Sequence, residues 1–374
     1  MSWPKVALGE ICIVDWGNTS LTKSSYVAGG DYLAVSATGG DGRIDHWEHK
    51  AMTPVISAIG AQCGKLFLPK EDFTAIKNTI TLTPIDDSRN QEACCPIYLY
   101  YLLSSMQLPR RGAGQPFISK GDLEKFKIPL PPLEEQRRIA AILDKAGNLR
   151  QHANGQLCQA KDLLASLFIE TIGDPHQNPR DWSTLPLAEA VQAGTDVTYG
   201  IVQAGEEFPG GIPYIRTGDI VDGEIDLSAL RHTDPAIASR FMRSTVRTGE
   251  IIMSIRATVG TTAIIPPCLD GANLTQGTAR VAPGKYVNGV YLLQYLRMPS
   301  TQVWIQRQVK GATFREITLA RLRELPVLIP PMAIQDKFAD KAMLANSAID
   351  SSKVLLSRIE NLSLSLGNQL LGRK

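Results

Sequence analysis

One stretch of about 29 residues occurs twice in the chain and organises the rest of the sequence. Residues 112–140 read GAGQPFISKGDLEKFKIPLPPLEEQRRIA, and residues 311–339 read GATFREITLARLRELPVLIPPMAIQDKFA. At a constant offset of 199 positions, the two copies share Gly112, Ala113, Ile118, Leu123, Pro131, Pro132, Gln136 and Ala140. Internal repeats point to repeated structural units. The sequence therefore predicts a tandem duplication.

The parts of the chain that precede each copy agree more weakly. Trp3 corresponds to Trp182 at an offset of 179, and the motif Asp-Gly-x-Ile-Asp at residues 41–45 corresponds to the same motif at residues 222–226. Because the offset grows towards 199, we expect the second unit to carry about 20 additional residues in its loops.

Each unit begins with a part that is rich in glycine and proline and contains short β-like runs. Such runs occur at residues 31–36, 79–83, 212–216 and 250–255, and their composition is typical of strands bounded by turns. Short apolar helices are predicted at residues 97–106 and 290–297. These parts are therefore interpreted as globular domains of mixed α and β structure.

Each unit ends in a segment with the pattern of a long helix. No proline occurs between Pro132 and Pro175 or after Pro331, and prolines are tolerated at a helix start. Apolar or small residues recur every seven positions, as expected for helices that pack together. They are Ile139, Ala146, Ala153, Ala160 and Leu167 in the first segment, and Phe338, Ala345, Ser352, Ile359 and Leu366 in the second.

About 40 residues would make each helix roughly 60 Å long, and the obvious partner of each helix is the other. The first helix leads from the first domain to the second, so the second helix should return towards the first domain. The predicted fold class is α+β, with two α/β domains joined by two long antiparallel coiled-coil helices in a pseudo-two-fold tandem repeat. The predicted segments are residues 1–132, 133–173, 174–331 and 332–374.

The composition excludes several other classes of protein. The chain has 374 residues, with 39 Lys and Arg against 37 Asp and Glu. None of its six cysteines forms a C-x-x-C pair, so neither a zinc site nor a disulfide framework is expected. No signal peptide or membrane-spanning run is recognised, and we expect a cytoplasmic protein without a membrane partner.

Motifs that would support catalysis are incomplete. Residues 60–66 partly match a phosphate-binding loop. Ile59 stands in place of the first glycine of that motif, and Leu66 stands in place of its Ser or Thr. A strand followed by a turn is therefore the favoured interpretation. His46 and His49 lie three positions apart, and such residues point to opposite faces of a strand. We therefore expect no catalytic residues and no metal site.

Residues 128–143, IPLPPLEEQRRIAAIL, resemble the signature of the specificity (S) subunits of type I restriction–modification systems. The resemblance covers the whole chain in the family's order of recognition domain, conserved helix, recognition domain and conserved helix. The second copy of the signature, at residues 327–335, lacks the two glutamates and the arginine pair.

The resemblance implies a non-catalytic subunit that reads a bipartite, asymmetric site on double-stranded DNA. It implies two methyltransferase (M) subunits as partners, and two restriction (R) subunits in the cleaving complex. The chain itself would bind no cofactor, because S-adenosylmethionine, ATP and Mg²⁺ would be held by partner subunits. Alternatives are a methylation-only or variant system, a self-contained DNA enzyme, and a coiled-coil scaffold that binds proteins.

Polar and basic residues on predicted loops are the candidates for DNA contact, because phosphates attract cations and base edges are read by Arg, Gln, Ser and Thr. An ordinary charged surface explains them equally well. The DNA-binding candidates are Ser36, Thr38, Arg43, Arg110, Arg111, Gln115, Arg216, Thr217, Arg256, Thr258, Gln276 and Arg315. The candidates for contact with partner subunits, at the start of the first long helix, are Glu134, Glu135, Arg137 and Arg138. A solvated first turn, with acids near the helix N-terminus, explains the two glutamates equally well.

The charge of each predicted domain is balanced. Residues 1–132 contain 13 cations and 13 anions, and residues 174–331 contain 15 of each. A protein that holds DNA alone through its phosphates usually has a clear basic excess. We therefore expect the isolated chain to bind DNA weakly, with partner subunits supplying most of the non-specific affinity.

Overall fold

The computed structural model describes residues 3–85, 93–311 and 314–370. The chain forms two compact units, the first comprising Met1–Gly155 with Lys353–Lys374, and the second comprising Gln156–Ser352. Both long helices therefore divide between the units. The second helix ends in the unit with which the chain begins, as predicted. The division into four segments at residues 132, 173 and 331 stays a proposal, because the compact units divide within the helices.

The first unit combines small sheets with short helices. A four-stranded sheet has the order β2-β8-β5-β6, a three-stranded sheet has the order β4-β3-β7 with β3 parallel to β7, and β1 pairs with β9. The strands are β1 (Lys5–Ala7), β2 (Cys12–Trp16), β3 (Tyr32–Ser36), β4 (Gly39–Ile44), β5 (Val55–Ser57), β6 (Leu66–Phe67), β7 (Phe73–Ala75), β8 (Thr79–Pro84) and β9 (Lys127–Pro129). The helices are α1 (Leu8–Ile11), α2 (Pro96–Ser104), α3 (Lys120–Glu124) and the first part of α4 (Leu133–Thr171).

The second unit repeats this topology. Its sheets have the orders β11-β19-β16-β17 and β15-β12-β18, with β12 parallel to β18, and β10 pairs with β20. The strands are β10 (Ser183–Pro186), β11 (Thr198–Tyr199), β12 (Ile212–Ile215), β13 (Ile220–Val221), β14 (Glu224–Ile225), β15 (Arg231–Thr233), β16 (Ile251–Ser254), β17 (Thr262–Ile264), β18 (Asn273–Leu274), β19 (Thr278–Val281) and β20 (Pro326–Ile329). The helices are the rest of α4, α5 (Leu187–Ala190), α6 (Pro235–Ala238), α7 (Gly289–Arg297), α8 (Pro299–Gln308), α9 (Leu319–Arg323) and α10 (Met332–Leu370), which continues into the first unit from Lys353.

The four predicted strand runs correspond to β3, β8, β12 and β16, and the two predicted short helices correspond to α2 and α7. These predictions are confirmed. Helix α8 was not predicted; it begins at Pro299 directly after α7, where a proline suits the first turn of a helix. The tandem duplication is therefore a duplication of fold, since equivalent strands take equivalent places in both units.

One sequence correspondence is wrong. Residues 41–44 lie in β4, which pairs with β3, whereas Asp222 and Gly223 form the tight turn between β13 and β14. Both turn residues have positive φ, +50° and +82°, and Asp-Gly favours such hairpin turns. In the second unit β15 pairs with β12, as β4 pairs with β3 in the first unit. The same short motif thus serves different local structures in the two units.

The long helices each contain 39 residues, which corresponds to about 58 Å. In the second unit, Phe168 of α4 contributes to one core with Phe338 and Ala345 of α10. In the first unit, Ile139 of α4 lies in a core against which Leu366 of α10 packs. None of the ten predicted heptad residues is exposed, so the predicted packing pattern is confirmed.

Candidate nucleic-acid interface

A small loop closed by two backbone hydrogen bonds occurs at the same place in both units. In the first loop (residues 111–117), Arg111 and Phe117 exchange N–H···O bonds of 2.8 Å. In the second loop (residues 310–316), Lys310 and Glu316 exchange bonds of 2.9 and 3.0 Å. Residues 312 and 313 of the second loop lie outside the described residues.

The glycine that opens each loop has a conformational role. Gly112 and Gly311 have φ values of +83° and +86°, in the left-handed region that favours glycine. A Cβ on either residue would also clash with a backbone carbonyl oxygen of its own loop, that of Gln115 or Phe314. The loop geometry therefore explains why these two glycines match in the sequence repeat.

The second loop gathers several of the predicted DNA-binding residues. The Arg256 Nε lies 3.0 Å from Oε2 of Glu316, and the backbone N–H of Ala257 donates to the carbonyl oxygen of Arg315 over 3.0 Å. Arg315 donates to Oε1 of Gln306 over 2.6 Å. Exposed Thr258 follows on the same turn, so the structure brings Arg256, Thr258 and Arg315 together.

The first loop carries its own cations. A Cβ on Gly64 would lie 2.6 Å from Nε of Arg110, so this guanidinium lies directly over the glycine. Arg111 forms an ion pair with Asp122, and its side chain remains 63% exposed. Gln115 is also exposed. The predicted residues Arg110, Arg111 and Gln115 therefore lie on or beside one loop.

A second polar cluster, which we call the Asp41 cluster, lies around the turn between β3 and β4. Asp41 accepts hydrogen bonds from Lys23 at 2.6 Å, Tyr26 at 2.6 Å and Ser36 at 2.9 Å, and also from Thr38. Burial alone would raise the pKa of the Asp41 carboxyl. The four hydrogen bonds outweigh burial and hold this pKa well below its ordinary value. Sequence reasoning had selected Ser36 and Thr38 but missed Asp41.

Replacing Asp41 with asparagine should lower the free energy of unfolding at neutral pH. Because the folded-state pKa lies below the unfolded-state value, the ionised carboxylate contributes its full stability above about pH 4 and loses it as the pH falls further. The difference between wild type and Asp41→Asn should therefore shrink below about pH 4 in urea titrations. A difference that is independent of pH would contradict this assignment; Asp45→Asn, at an exposed position after β4, is the matched control.

Two other predicted arginines form several hydrogen bonds within their own units. Arg43 donates to the carbonyl oxygens of Gly30 and Asp31, at 3.1 and 2.9 Å, and to Glu71 at 2.8 Å. Arg216 binds the buried Asp219 with two guanidinium contacts of 2.7 and 3.1 Å.

The remaining candidates lie beside Arg216 in sequence or sheet. Thr217 donates from Oγ1 to the carbonyl oxygen of Gly277 over 3.1 Å, and the neighbouring Gln276 is half-buried. A carbonyl acceptor engages the Thr217 hydroxyl proton, so this group is oriented by the fold. The predicted residues of the second unit therefore form two groups, one at the second loop and one around residues 216–219 with 276.

Comparison with known proteins identifies the family. A family model described as "Type I restriction modification DNA specificity domain" matches residues 2–159 and again residues 179–360. The chain belongs to this family. The two matched regions also reproduce the tandem organisation predicted from the repeat.

Curated relatives of this specificity-domain chain carry corresponding names. The EcoBI specificity subunit of Escherichia coli is 26% identical over 277 residues, covering 67% of this chain and 58% of the relative. The putative MjaX specificity subunit of Methanocaldococcus jannaschii is 26% identical over 309 residues, covering 76% of this chain and 69% of the relative. The chain thus spans less than two thirds of the EcoBI subunit.

Solved structures show the same fold. A type I restriction–modification S subunit from M. genitalium has a TM-score of 0.65 at 17% identity. The match covers 98% of this chain and 96% of the chain of that subunit. A chain from a study of assembly and conformational transition of the type I R-M system has a TM-score of 0.51 at 17% identity. It covers 100% of this chain and 98% of its own. The α+β prediction of two domains with long helices is therefore confirmed.

The start of the first long helix in this specificity-domain chain combines exposed charge with one buried side chain. Glu134 and Arg137 are exposed, while Glu135 and Arg138 form two contacts of 2.7 and 2.8 Å. Gln136 between them is 1% exposed. The four residues predicted to contact partners therefore surround a glutamine with a different role.

Gln136 and its repeat equivalent Gln335 fasten the long helices to the globular parts. Gln136 donates to the carbonyl oxygen of Pro131 and accepts from the N–H of Cys95, both at 2.8 Å. Gln335 donates to Pro330 over 2.8 Å and accepts from Asn288 over 2.9 Å. Cys95 and Asn288 are the residues that precede α2 and α7. The matched glutamine of the sequence repeat therefore links the start of each long helix to a short helix.

The histidines of the first specificity domain have local partners. His49 lies against the Phe73 ring at a centroid separation of 5.3 Å, and burial lowers the pKa of His49.

Across residues 3–85, 93–311 and 314–370, no group of three or more His, Cys, Asp or Glu side chains is arranged to hold a metal ion. Over these same residues, no helix combines the length and apolar character needed to cross a bilayer.

Proposed function

We propose that this chain is the sequence-specific DNA-recognition subunit of a type I restriction–modification enzyme, that it performs no chemistry itself, and that it reads a bipartite, asymmetric site. The observation that carries this proposal is the repeated topology with different side chains at equivalent places. In the first unit, Ile59 forms an isolated β-bridge with the first loop. At the equivalent place in the second unit, Arg256 forms the β-bridge with the second loop. Two similar folds with different side chains suit two different half-sites.

The side chains on the two loops suit contact with a duplex. Arginine binds phosphate and guanine with two parallel hydrogen bonds, and glutamine does the same with adenine. Arg256 and Arg315 in the second unit, and Arg110 and Gln115 in the first, provide these groups on exposed or half-exposed loops. We propose that the loops read base edges, while Ser36, Thr38, Arg43, Thr217 and Gln276 support or extend the surface.

Partner subunits dock, in this proposal, on the long helices. Large apolar side chains are exposed on them, which is typical of surfaces that bind another protein. In the second unit Met343 and Leu344 are 65% and 77% exposed, and in the first unit Leu362 and Leu364 are 62% and 66% exposed. Two M subunits would cover these faces together with Glu134, Glu135, Arg137 and Arg138. R subunits would join the cleaving complex, and S-adenosylmethionine, ATP and Mg²⁺ would be bound by the partners.

Retardation of DNA in native gels tests this function. The chain alone is expected to retard DNA weakly, and the chain with its M subunits strongly, because each domain has balanced charge. The double variant Arg256→Ala with Arg315→Ala should lose about 1–3 kcal/mol of binding free energy for each arginine that reads a base. Arg247→Ala is the matched control, because Arg247 is 63% exposed and pairs with Asp270.

Two results would contradict the proposal. If the complex with M subunits retards no DNA even at low salt, the chain acts as a protein-binding scaffold. If the purified chain alone transfers methyl groups to DNA, it is an enzyme.

A further inference from the structure

Phe314 is an exposed aromatic residue on the second loop. Its side chain is 88% exposed, although a phenylalanine normally gains stability by burial. The residue lies beside Arg315 and within the loop that Arg256 braces through Glu316. Single exposed apolar residues are common on protein surfaces, so what distinguishes Phe314 is its position beside Arg315 in this loop.

The described residues of the loop that carries Phe314 are held by several hydrogen bonds. Lys310 and Glu316 close it with two backbone hydrogen bonds, and Gly311 turns the backbone at a φ of +86°. The Arg315 carbonyl oxygen accepts from Ala257, and its guanidinium donates to Gln306. Arg315, which follows Phe314, is therefore held in place before a partner binds, and this limits the entropy lost on binding.

Phe314 is the structural equivalent of Gln115. The carbonyl oxygen of each residue faces the glycine that opens its loop. The residue that follows each one accepts a backbone hydrogen bond from an equivalent turn: Pro116 from Gly60, after β5, and Arg315 from Ala257, after β16. The two units therefore present an amide at this position in one case and an aromatic ring in the other. In a DNA groove these groups suit different base edges.

We propose that Phe314 is a specificity-determining residue that contacts the C5 methyl group of a thymine in the half-site read by the second unit. This inference rests on the proposed function. Thymine is the base that offers an apolar group in the major groove, where phenylalanine contacts it, whereas glutamine pairs with adenine. Arg315 follows Phe314 in the sequence, and Arg256 pairs with Glu316 of the same loop, so the loop also carries the cations that attract DNA. A negatively charged duplex therefore fits this surface better than an apolar protein face.

The test uses the complex of the full chain with its M subunits and synthetic duplexes that carry its mapped target. Each thymine of the target is replaced in turn by uracil, which removes the C5 methyl and keeps the base pair. Equilibrium binding is measured by fluorescence anisotropy. For wild type, one replacement in the second unit's half-site should weaken binding about fourfold, as expected for loss of one buried methyl contact.

The variants make the assignment specific. Phe314→Ala should bind the thymine and uracil duplexes equally well, and more weakly than wild type binds the thymine duplex. Met242→Ala is the matched control, since Met242 is 70% exposed on the same unit, and it should keep the fourfold preference.

Three results would overturn the inference: no thymine replacement weakens wild-type binding, Phe314→Ala keeps the thymine preference, or Phe314→Ala weakens only the affinity for M subunits. Failure of the proposed function would look different, because the wild-type complex would then bind neither the thymine nor the uracil duplex.

Discussion

Replacing Phe168 with alanine is expected to lower the free energy of unfolding of the second unit by about 3–5 kcal/mol, the usual cost of emptying a buried phenylalanine site. Phe168 is fully buried. Its ring lies 5.7 Å from the Tyr291 ring, 6.2 Å from Tyr295 and 5.2 Å from Phe338. One side chain of α4 thus joins α7 and α10. Urea denaturation followed by circular dichroism measures the loss.

The matched control for Phe168→Ala lies on the same helix. Leu163 is 54% exposed, so Leu163→Ala should change the free energy of unfolding by no more than about 0.5 kcal/mol. If the two variants were equally stable, α4 would not be packed into the second unit as the structure has it.

Replacing Gln335 with leucine is expected to destabilise the second unit by about 2–3 kcal/mol. The change keeps the size of the side chain but leaves the N–H of Asn288 and the carbonyl oxygens of Tyr286 and Pro330 without their bonds to the amide. A buried polar group that loses its partner costs about 1–3 kcal/mol. Only the bond to Pro330 is buried and the other two are partly buried, so the Pro330 carbonyl oxygen is expected to contribute most of the loss. Gln136→Leu should destabilise the first unit for the same reason.

Thermal and urea denaturation of Gln335→Leu would be compared with Gln159→Leu, at an exposed position of α4 in the same unit. The control should be close to neutral. A neutral or stabilising effect of Gln335→Leu would show that the amide contributes packing volume alone. The interpretation that this repeated glutamine links the start of each long helix to a short helix would then be wrong.

The helices could be predicted from the sequence because their determinants are local. Prolines at 131–132 and 330–331 mark their starts, and α4 and α10 begin directly afterwards. The heptad stripe fixes which face is buried, since residues on one face of a helix recur at this spacing. The match between Gly112 and Gly311 could be found for a similar reason, because a left-handed backbone position favours glycine.

The candidate site was less predictable because its contacts join distant residues. Lys23 and Asp41 are 18 positions apart, and no local pattern links them. Arg43 resembled a free cation in the sequence, but its acceptors include two backbone carbonyl oxygens, which no residue type reveals. The two Asp-Gly motifs were equated because identical letters serve a strand in one unit and a hairpin turn in the other.

Mapping the methylated bases in a host that expresses this chain with its M subunit tests the central claim most directly, especially if residues 1–132 are then replaced by a homologous domain. The account predicts a target of two unlike halves separated by a fixed spacer, and a replacement that changes one half while the other half and the spacer remain. A replacement that changes both halves, or a target that is one continuous sequence, would contradict it.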